Sequence, residues 1–423
     1  MATKLLVVQV AALGWDLLKD TPGFNPAEAF FPAVTCTAQA GFRTASLPRE
    51  HGMVANGTRL PDLRKILLWE QSSALVQGER IWSRYRAGGR KAGMMFWQQS
   101  LGDEELDLVL SPAPIHKHSG GMTQDCYAKP DGLYQRLRKE TGRAFNLMHY
   151  WGPLASRKSS AWITDATCAV LRDAQFAPDI LFSYLPHLDY DLQRHGPDSH
   201  KARKSLEFTL QCIDRLKREA ELQGYHWLFY GDYAIQPVAE AVFPNRRLRE
   251  AGLLEMRQIK KMLYVDLFAS PAFAMVDHQI AHVYTRDPVA AEAAREALAG
   301  LPGIEAILDR EDQAVHGLDH ARSGDLVLIA ESGKWFAYPW WTARNEAPDF
   351  ATHVDIHNKP GYDPCELFFG WPPPSVSMNT ARIRGSHGRP GDKVAWSTSL
   401  DFAAAPETML DIARFTKAWL DSV

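Results

Sequence analysis

Two apolar runs with a helical stretch between them constrain this chain more than any other feature. Asp179 to Tyr184 (DILFSY) and Tyr225 to Tyr230 (YHWLFY) have the length and texture of strands buried on both faces. Between them, Leu206, Phe208, Leu210, Ile213, Leu216 and Ala220 trace a near-helical apolar stripe through Ser205 to Leu222. Strand, helix and strand at this spacing predict a βαβ unit, since parallel neighbours need a crossover that returns the chain to the same edge. Leu5 to Leu13 (LLVVQVAAL) is too short for a membrane span and leads into GWDLL rather than a cleavage site, so it reads as a buried first strand. A further helix is expected within 151–175, after Trp151-Gly152-Pro153. The fold class that follows is α/β, a mostly parallel central sheet flanked by helices, with a ligand site at the carboxyl ends of its strands.

The texture changes between Pro237 and about Phe350. Phe273 to Tyr284 is strand-like, Val289 to Ala299 is an Ala/Glu-rich helix, and Ile304 to Leu308 is a short strand. Asp325 to Ala330 and Trp335 to Tyr338 suggest a hairpin around Ser332-Gly333. The expected organisation is therefore an α/β core over 1–236 and 351–423 with a smaller α+β cap inserted at 237–350. A final helix is expected from Pro406 to Leu420.

Charge and cysteine content narrow the partners. Lys plus Arg total 47 against 50 Asp plus Glu, a net charge of −3, so no excess of cations exists to neutralise a polyphosphate backbone. Nucleic acid is not an expected partner, whereas a small anionic substrate needs only a local site. The five cysteines are scattered and contain no C-x-x-C pair, which argues for a reducing, cytoplasmic setting and against a thiolate zinc site. No apolar stretch is long enough to cross a membrane. The sequence assigns no oligomeric state.

Thr35 stands where an apolar segment, FFPAV, gives way to the small residues of a helix. Alone it reads as a helix cap, but a hydroxyl beside free helix N–H groups also suits attack on an anionic centre. The surrounding segment, FPAVTCTAQAGFRTASLPREHGMVANG, resembles the nucleophile segment of the nucleotide pyrophosphatase/phosphodiesterase branch of the alkaline phosphatase superfamily. In that resemblance Thr35 falls on the nucleophile, Asn56 on the Asn that contacts a phosphoryl oxygen, and Pro48, His51 and Gly52 keep the pattern. It continues in the same order downstream. LPHLDYDLQRHGPDS places Asp189 on a metal-binding Asp, FYGDYAIQPV places Asp232 on another, and RGSHGRPGD places His387 on the last metal-binding His. It implies a two-metal phosphoryl or sulfuryl transfer site, usually binuclear zinc, with a late-inserted cap. LPHLDY, DHQ-x-AH, DIH-x-KPGYDP and RGSHG together are similar to a bacterial subfamily of phosphodiesterase-like proteins.

The departures bear on the metal. Ala11-Ala12 stands where the family has Asp-Gly, Gln193 where it has the second ligand of Asp-x-x-x-His, and Tyr233 where it has His. Neither an amide nor an unperturbed phenol is a usual zinc ligand, so a standard binuclear centre does not carry over. Other histidines and carboxylates offer compensation. His187, Asp189 and Asp191 alternate, so an extended segment would put them on one face; Asp355 and His357 do the same in VDIH, and His278 and His282 share a face if VDHQIAHVY is one strand. His187, Asp189, Asp355, His357 and His387 form either a metal site or a polar hydrogen-bonded cluster. His278, His282 and Asp355 are candidates for substrate contact, with a structural role as the alternative. Arg43, Arg59, Arg382 and Arg384 are candidate phosphate partners.

The combined expectation is a phosphodiesterase- or phosphatase-like hydrolase of a small phosphate ester. Thr35 is its nucleophile, Asn56 and the helix start stabilise the phosphoryl oxygens, and at most one divalent metal, zinc by resemblance, is held by Asp189, Asp232 and His387 with His357 or His187. The alternatives are a biosynthetic group transferase on the same fold and a metal-poor pseudoenzyme that binds an anionic metabolite or a partner.

Overall fold

The computed structural model describes residues 3–118 and 121–423. Its centre is an eight-stranded sheet in the order Asn25–Glu28, Lys393–Thr398, Tyr225–Gly231, Lys4–Val10, Ile180–Leu185, Ala92–Met95, Leu108–Pro112, Cys126–Lys129. The five strands from Tyr225–Gly231 to Leu108–Pro112 run parallel, and the outer three are antiparallel additions. Helices cover the sheet, so Ile180–Leu185 is buried at every position and Lys4–Val10 at all but the first, which is why both read as continuous apolar runs. The expected α/β fold with a mostly parallel sheet is the one observed.

Register decides what the carboxyl edge presents. Val10 lies opposite both Leu185 and Gly231, so Ala11, Pro186 and Asp232 leave three adjacent strands at one level. The fit at that edge is close: a Cβ on Gly231 would lie 2.3 Å from the Leu13 carbonyl oxygen, so only glycine lets the two segments touch. Helix His200–Leu222 returns the chain between the two central strands, with Ser199 accepting from Ala202 N at its start.

A second, four-stranded antiparallel sheet is ordered Ala272–Asp277, Ile280–Thr285, Leu326–Ala330, Ile304–Leu308 and has its own apolar cluster, including Phe273, Met275, Val283 and Leu328. Here three local expectations are corrected. Phe273 to Tyr284 is two strands, not one, because Asp277 pairs with Ile280 across a two-residue turn at His278-Gln279. Lys334–Phe336 forms no hairpin with Leu326–Ala330; it pairs in parallel with Glu240–Val242, and Phe336 N donates to His278 O. Thr35 is not the cap of its helix: Thr35–Thr44 starts at Thr35 itself, Val34 stands at the cap position, and no side chain caps the helix. The final helix is Met409–Ser422, opened by a Thr408/Asp411 capping box. Among the described residues no helix is long and apolar enough to cross a membrane, and all five cysteines are free thiols.

Candidate active site

The residues around Thr35 come from many separate stretches of chain. Thr35 Oγ1 donates to Asp232 Oδ2 at 3.4 Å, and the hydroxyls of Tyr184 and Tyr233 lie close beside it. Asp232 is fully buried and accepts from Gln9 Nε2 at 2.9 Å and from the Ala12 and Tyr233 backbone N–H groups at 3.0 Å each. Gln9 is the one polar residue inside the first strand, and this contact explains it. In turn Gln9 Oε1 accepts from Tyr230 Oη at 3.1 Å. Burial raises the Asp232 carboxyl to about 8, against the pull of those donors.

Asn56 is fully committed. Its Oδ1 accepts from Cys36 N at 3.0 Å, the second residue of the Thr35 helix, while its own N and Nδ2 donate to Asp277 at 2.7 and 3.0 Å. Asp277, at the end of a strand in the second sheet, also meets His278 Nδ1 at 2.7 Å. The hairpin tip thus reaches into the edge of the main sheet. His278 takes a φ of +62°, a left-handed conformation unfavourable for a side-chain-bearing residue, and this turns its ring toward the site.

Where the resemblance expects metal ligands, the side chains bond to one another. Asp189 accepts from Gln193 Nε2 at 2.6 Å and from Tyr233 Oη at 3.1 Å, so the two replacements occupy both carboxylate oxygens. Burial raises Asp189 to about 6, opposed first by the neighbouring His278 and then by these two donors. Gln193 Oε1 accepts from Tyr362 Oη at 2.7 Å. The rings of Tyr233 and His387 stack at 3.4 Å and 2°, His387 and His278 are 3.7 Å apart, and His278 and Tyr362 stack at 3.6 Å. A column of four rings fills the space beside Asp189. His387 bonds through Nδ1 to Ala33 O at 2.6 Å, and burial holds its pKa well below the usual imidazole range. Its buried Nε2 has no hydrogen-bond partner among the described residues.

These residues do not fit a metal centre. Among the described residues His387 Nε2 is left without a partner; both oxygens of Asp189 and of Asp232 already accept from protein N–H or O–H groups; and Ala11 supplies a methyl group where the resemblance expects a carboxylate. Among the described residues, no three His, Cys, Asp or Glu side chains converge as a metal would require.

The other candidates lie elsewhere. His187 and Asp191 do not share an extended face with Asp189, because His187–His195 is a helix. His187 Nε2 faces Ser205 O at 3.3 Å, and Asp191 accepts from the Ser205 hydroxyl. His282 is buried in the second sheet: Nε2 donates to Val54 O at 3.1 Å and Nδ1 accepts from Gly324 N at 3.0 Å. Asp355 caps a turn by accepting from Asn358 N and Nδ2 at 3.0 and 2.8 Å, and His357 Nδ1 faces Leu68 O at 3.3 Å. The structure therefore brings Thr35, Asn56, Asp189, Asp232, His387 and His278 together and leaves His187, His282, Asp355 and His357 outside. Arg43 is buried and donates to the Gln98 and Gln99 carbonyls. Sequence reasoning missed Asp277, Tyr184 and Tyr362. The first sits in the quoted DHQ segment and the last in KPGYDP, so both were in view without a nominated role.

A family model described as type I phosphodiesterase / nucleotide pyrophosphatase matches residues 10–363. Among solved structures, phosphonoacetate hydrolase from Sinorhizobium meliloti 1021 in complex with phosphonoformate superposes with a TM-score of 0.64 at 15% identity, over 98% of this chain and 95% of that one. Murine ectonucleotide pyrophosphatase/phosphodiesterase 5 superposes with a TM-score of 0.58 at 14% identity, over 99% of this chain and 95% of that one. An inactive form of that murine protein in complex with AMP gives 0.57 at 14% identity, over 99% and 95%. No curated protein sequence matches the chain.

Proposed function

The chain belongs to the type I phosphodiesterase / nucleotide pyrophosphatase family, and from that premise we propose that it hydrolyses a small phosphate ester or phosphonate through Thr35, with Asp232 as proton acceptor. The observation that carries this reading is the Thr35 hydroxyl at a helix start, 3.4 Å from a buried carboxylate and aimed at it. Thr35 Oγ attacks phosphorus, its proton passes to Oδ2 of the ionised Asp232, and the leaving group departs with the electrons of its bond to phosphorus and takes a proton from solvent. Water then attacks the phosphothreonine, the bond from Thr35 Oγ to phosphorus breaks, Asp232 returns its proton to Thr35 Oγ, and the proton released by the attacking water goes to solvent. Cys36 N–H is the backbone donor nearest the attacking oxygen; Asn56 Oδ1 holds it in place until a phosphoryl oxygen replaces it. Thr35 is 4% exposed, so substrate entry requires surrounding side chains to move aside. The choice of substrate class is supported by the anionic phosphorus ligands and AMP bound to the neighbouring structures.

The four-ring column favours a second reading, a pseudoenzyme that binds an anionic metabolite or partner without turnover. Assays of aryl phosphate mono- and diesters with Thr35→Ala and Thr35→Ser separate the two. Under the hydrolase reading Thr35→Ala loses several orders of magnitude in rate, Thr35→Ser keeps part of it, and mass spectrometry finds phosphate on Thr35. Loss of the buried hydroxyl's hydrogen bond to Asp232 costs on the order of 1 kcal/mol, which a thermal melt monitors. Full activity in a folded Thr35→Ala protein would rule out the nucleophile, and absence of turnover in the unaltered protein would favour the pseudoenzyme.

A further inference from the structure

The proposed reaction leaves one cation-lined cavity unused. It has a volume of about 170 Å³ and lies between the hairpin Gly57–Leu60/Lys65–Leu68 and the Ala272 end of the second sheet. Arg59, Arg64 and Arg286 line it together with Phe273 and Tyr284, and no carboxylate is among its lining residues. Arg59 is half-buried, its guanidinium lies 5.2 Å over the Tyr284 ring, and among the described residues it makes no ion pair or hydrogen bond. A stacked guanidinium without a partner is a pre-oriented fork for a planar pair of anionic oxygens. Arg64 spends one N–H on Phe268 O, and Arg286 has an exposed Asp287 as its only ion-pair partner. Each therefore keeps donors for a ligand, since a guanidinium carries five N–H groups.

The cavity is distinct from the Thr35 site. Strand Ala272–Asp277 runs from the cavity wall to Asp277, which holds Asn56, and at about 3.3 Å per residue this spans roughly 15 Å. Along the hairpin, Arg59 follows Asn56 by three residues. The volume is below the roughly 300 Å³ at which drug-sized ligands begin to fit. At about 30 Å³ per water it equals on the order of five or six waters, enough for a phosphoryl group with a small substituent. Three guanidiniums around so small a volume select a dianion over a monoanion. The geometry points to this cavity as a binding site for the phosphate dianion, free or carried by a small monoester, with Arg59 as its central contact and the Phe273 and Tyr284 rings beside any organic substituent.

Titration calorimetry tests this with inorganic phosphate, phenyl phosphate and, as a monoanion control, acetate, on the unaltered protein and on Thr35→Ala, Arg59→Ala, Arg59→Lys and Arg286→Gln. Saturable phosphate binding is expected in the unaltered protein and in Thr35→Ala, with acetate at least tenfold weaker. Arg59→Ala should weaken it tenfold or more, Arg59→Lys should restore part of that, and Arg286→Gln should weaken it severalfold. Tighter binding of phenyl phosphate identifies a monoester as the ligand class; equal or weaker binding identifies free phosphate. Arg286 is exposed, so its variant carries the test if Arg59→Ala does not fold. Absence of saturable binding, unchanged binding in both Arg59→Ala and Arg286→Gln, or loss of binding in Thr35→Ala alone would overturn the proposal, the last because it assigns the anion to the Thr35 site.

Discussion

The site has two halves that are held by different physics. One half is the carboxyl edge of the main sheet, where Asp189 and Asp232 follow the two parallel strands that flank Lys4–Val10 and are satisfied by donors from their own neighbourhood, namely Gln193, Tyr233, Gln9 and the Ala12 N–H. The other is the hairpin tip of the second sheet, which inserts Asp277 and His278 against Asn56 and the ring column. The first half is fixed wherever the sheet forms. The second holds only while its sheet stays docked through contacts such as His282 to Val54. A buried carboxylate can thus be kept either by local hydrogen bonds or by a partner delivered from another layer, and this chain uses both within one pocket.

The comparison breaks most sharply by rebuilding the first half. The combined variant Ala11→Asp, Gln193→His, Tyr233→His removes two of those donors and adds three metal-ligating side chains. We expect the unaltered protein, purified without chelators, to carry no stoichiometric zinc and to melt at the same temperature with or without a chelator. The variant should take up zinc by elemental analysis, melt several degrees lower without it and recover on its addition. A stoichiometric metal in the unaltered protein would show that the saturated carboxylates exchange their donors for an ion.

Acid should separate the halves by a smaller amount. Burial lowers the His282 pKa from 6.5 to about 4, and its neutral form is fixed by donating to Val54 O and accepting from Gly324 N. The folded pKa lies below the unfolded one, so the unfolded chain binds more protons between pH 6.5 and 4. Stability is therefore lost as pH falls through that window, by an amount on the order of 3 kcal/mol for this residue. His51, lowered to about 3 by burial and by the positive charges of Arg43 and Arg322, and His187, lowered to about 4 by burial, act in the same direction. Hydrogen exchange should show Ala272–Asp277 and Ile280–Thr285 losing protection on acidification before Lys4–Val10 does. Simultaneous loss would mean that the second sheet is no weaker than the first.

The smallest effect is expected at Ala12, whose φ of +59° is left-handed and whose N–H serves Asp232. Ala12→Gly relieves that strain and should raise stability by about 1 kcal/mol or less, since glycine gives back part of the gain as backbone entropy. A fall in the melting temperature would mean that the Ala12 methyl packs well enough to outweigh the strain.

Thr35, Asn56, Asp189, Asp232 and His387 were legible because each lies in a short segment of fixed spacing at a strand end or helix start, where one-dimensional order maps directly onto one sheet edge. His187, Asp355 and His357 alternate without lying on extended chain, and His282, which does lie on a strand, commits both ring nitrogens to backbone groups. His187 and Asp191 lie on a helix, and Asp355 spends its carboxylate on a turn. The tip at His278 was hidden for a related reason. VDHQIAHVY has no Gly or Asn to announce a two-residue turn, and the turn forms at a histidine held left-handed by its surroundings.

By itself the sequence determined the parallel sheet, the position of Thr35 at a helix start and the loss of the Ala11, Gln193 and Tyr233 ligand positions. The first two are properties of apolar periodicity and residue identity, which need no knowledge of distant contacts; the last is what the family resemblance implies. Tertiary structure alone decided that Gln193 and Tyr233 satisfy Asp189, that Asp277 commits Asn56, and that Tyr233, His387, His278 and Tyr362 stack into one column. Apart from the Gln193–Asp189 bond, which spans one turn of helix His187–His195, these contacts join side chains from distant parts of the chain across buried space. There an unmet polar group costs several kcal/mol, and the partner that meets it is set by proximity after packing rather than by its place in the chain.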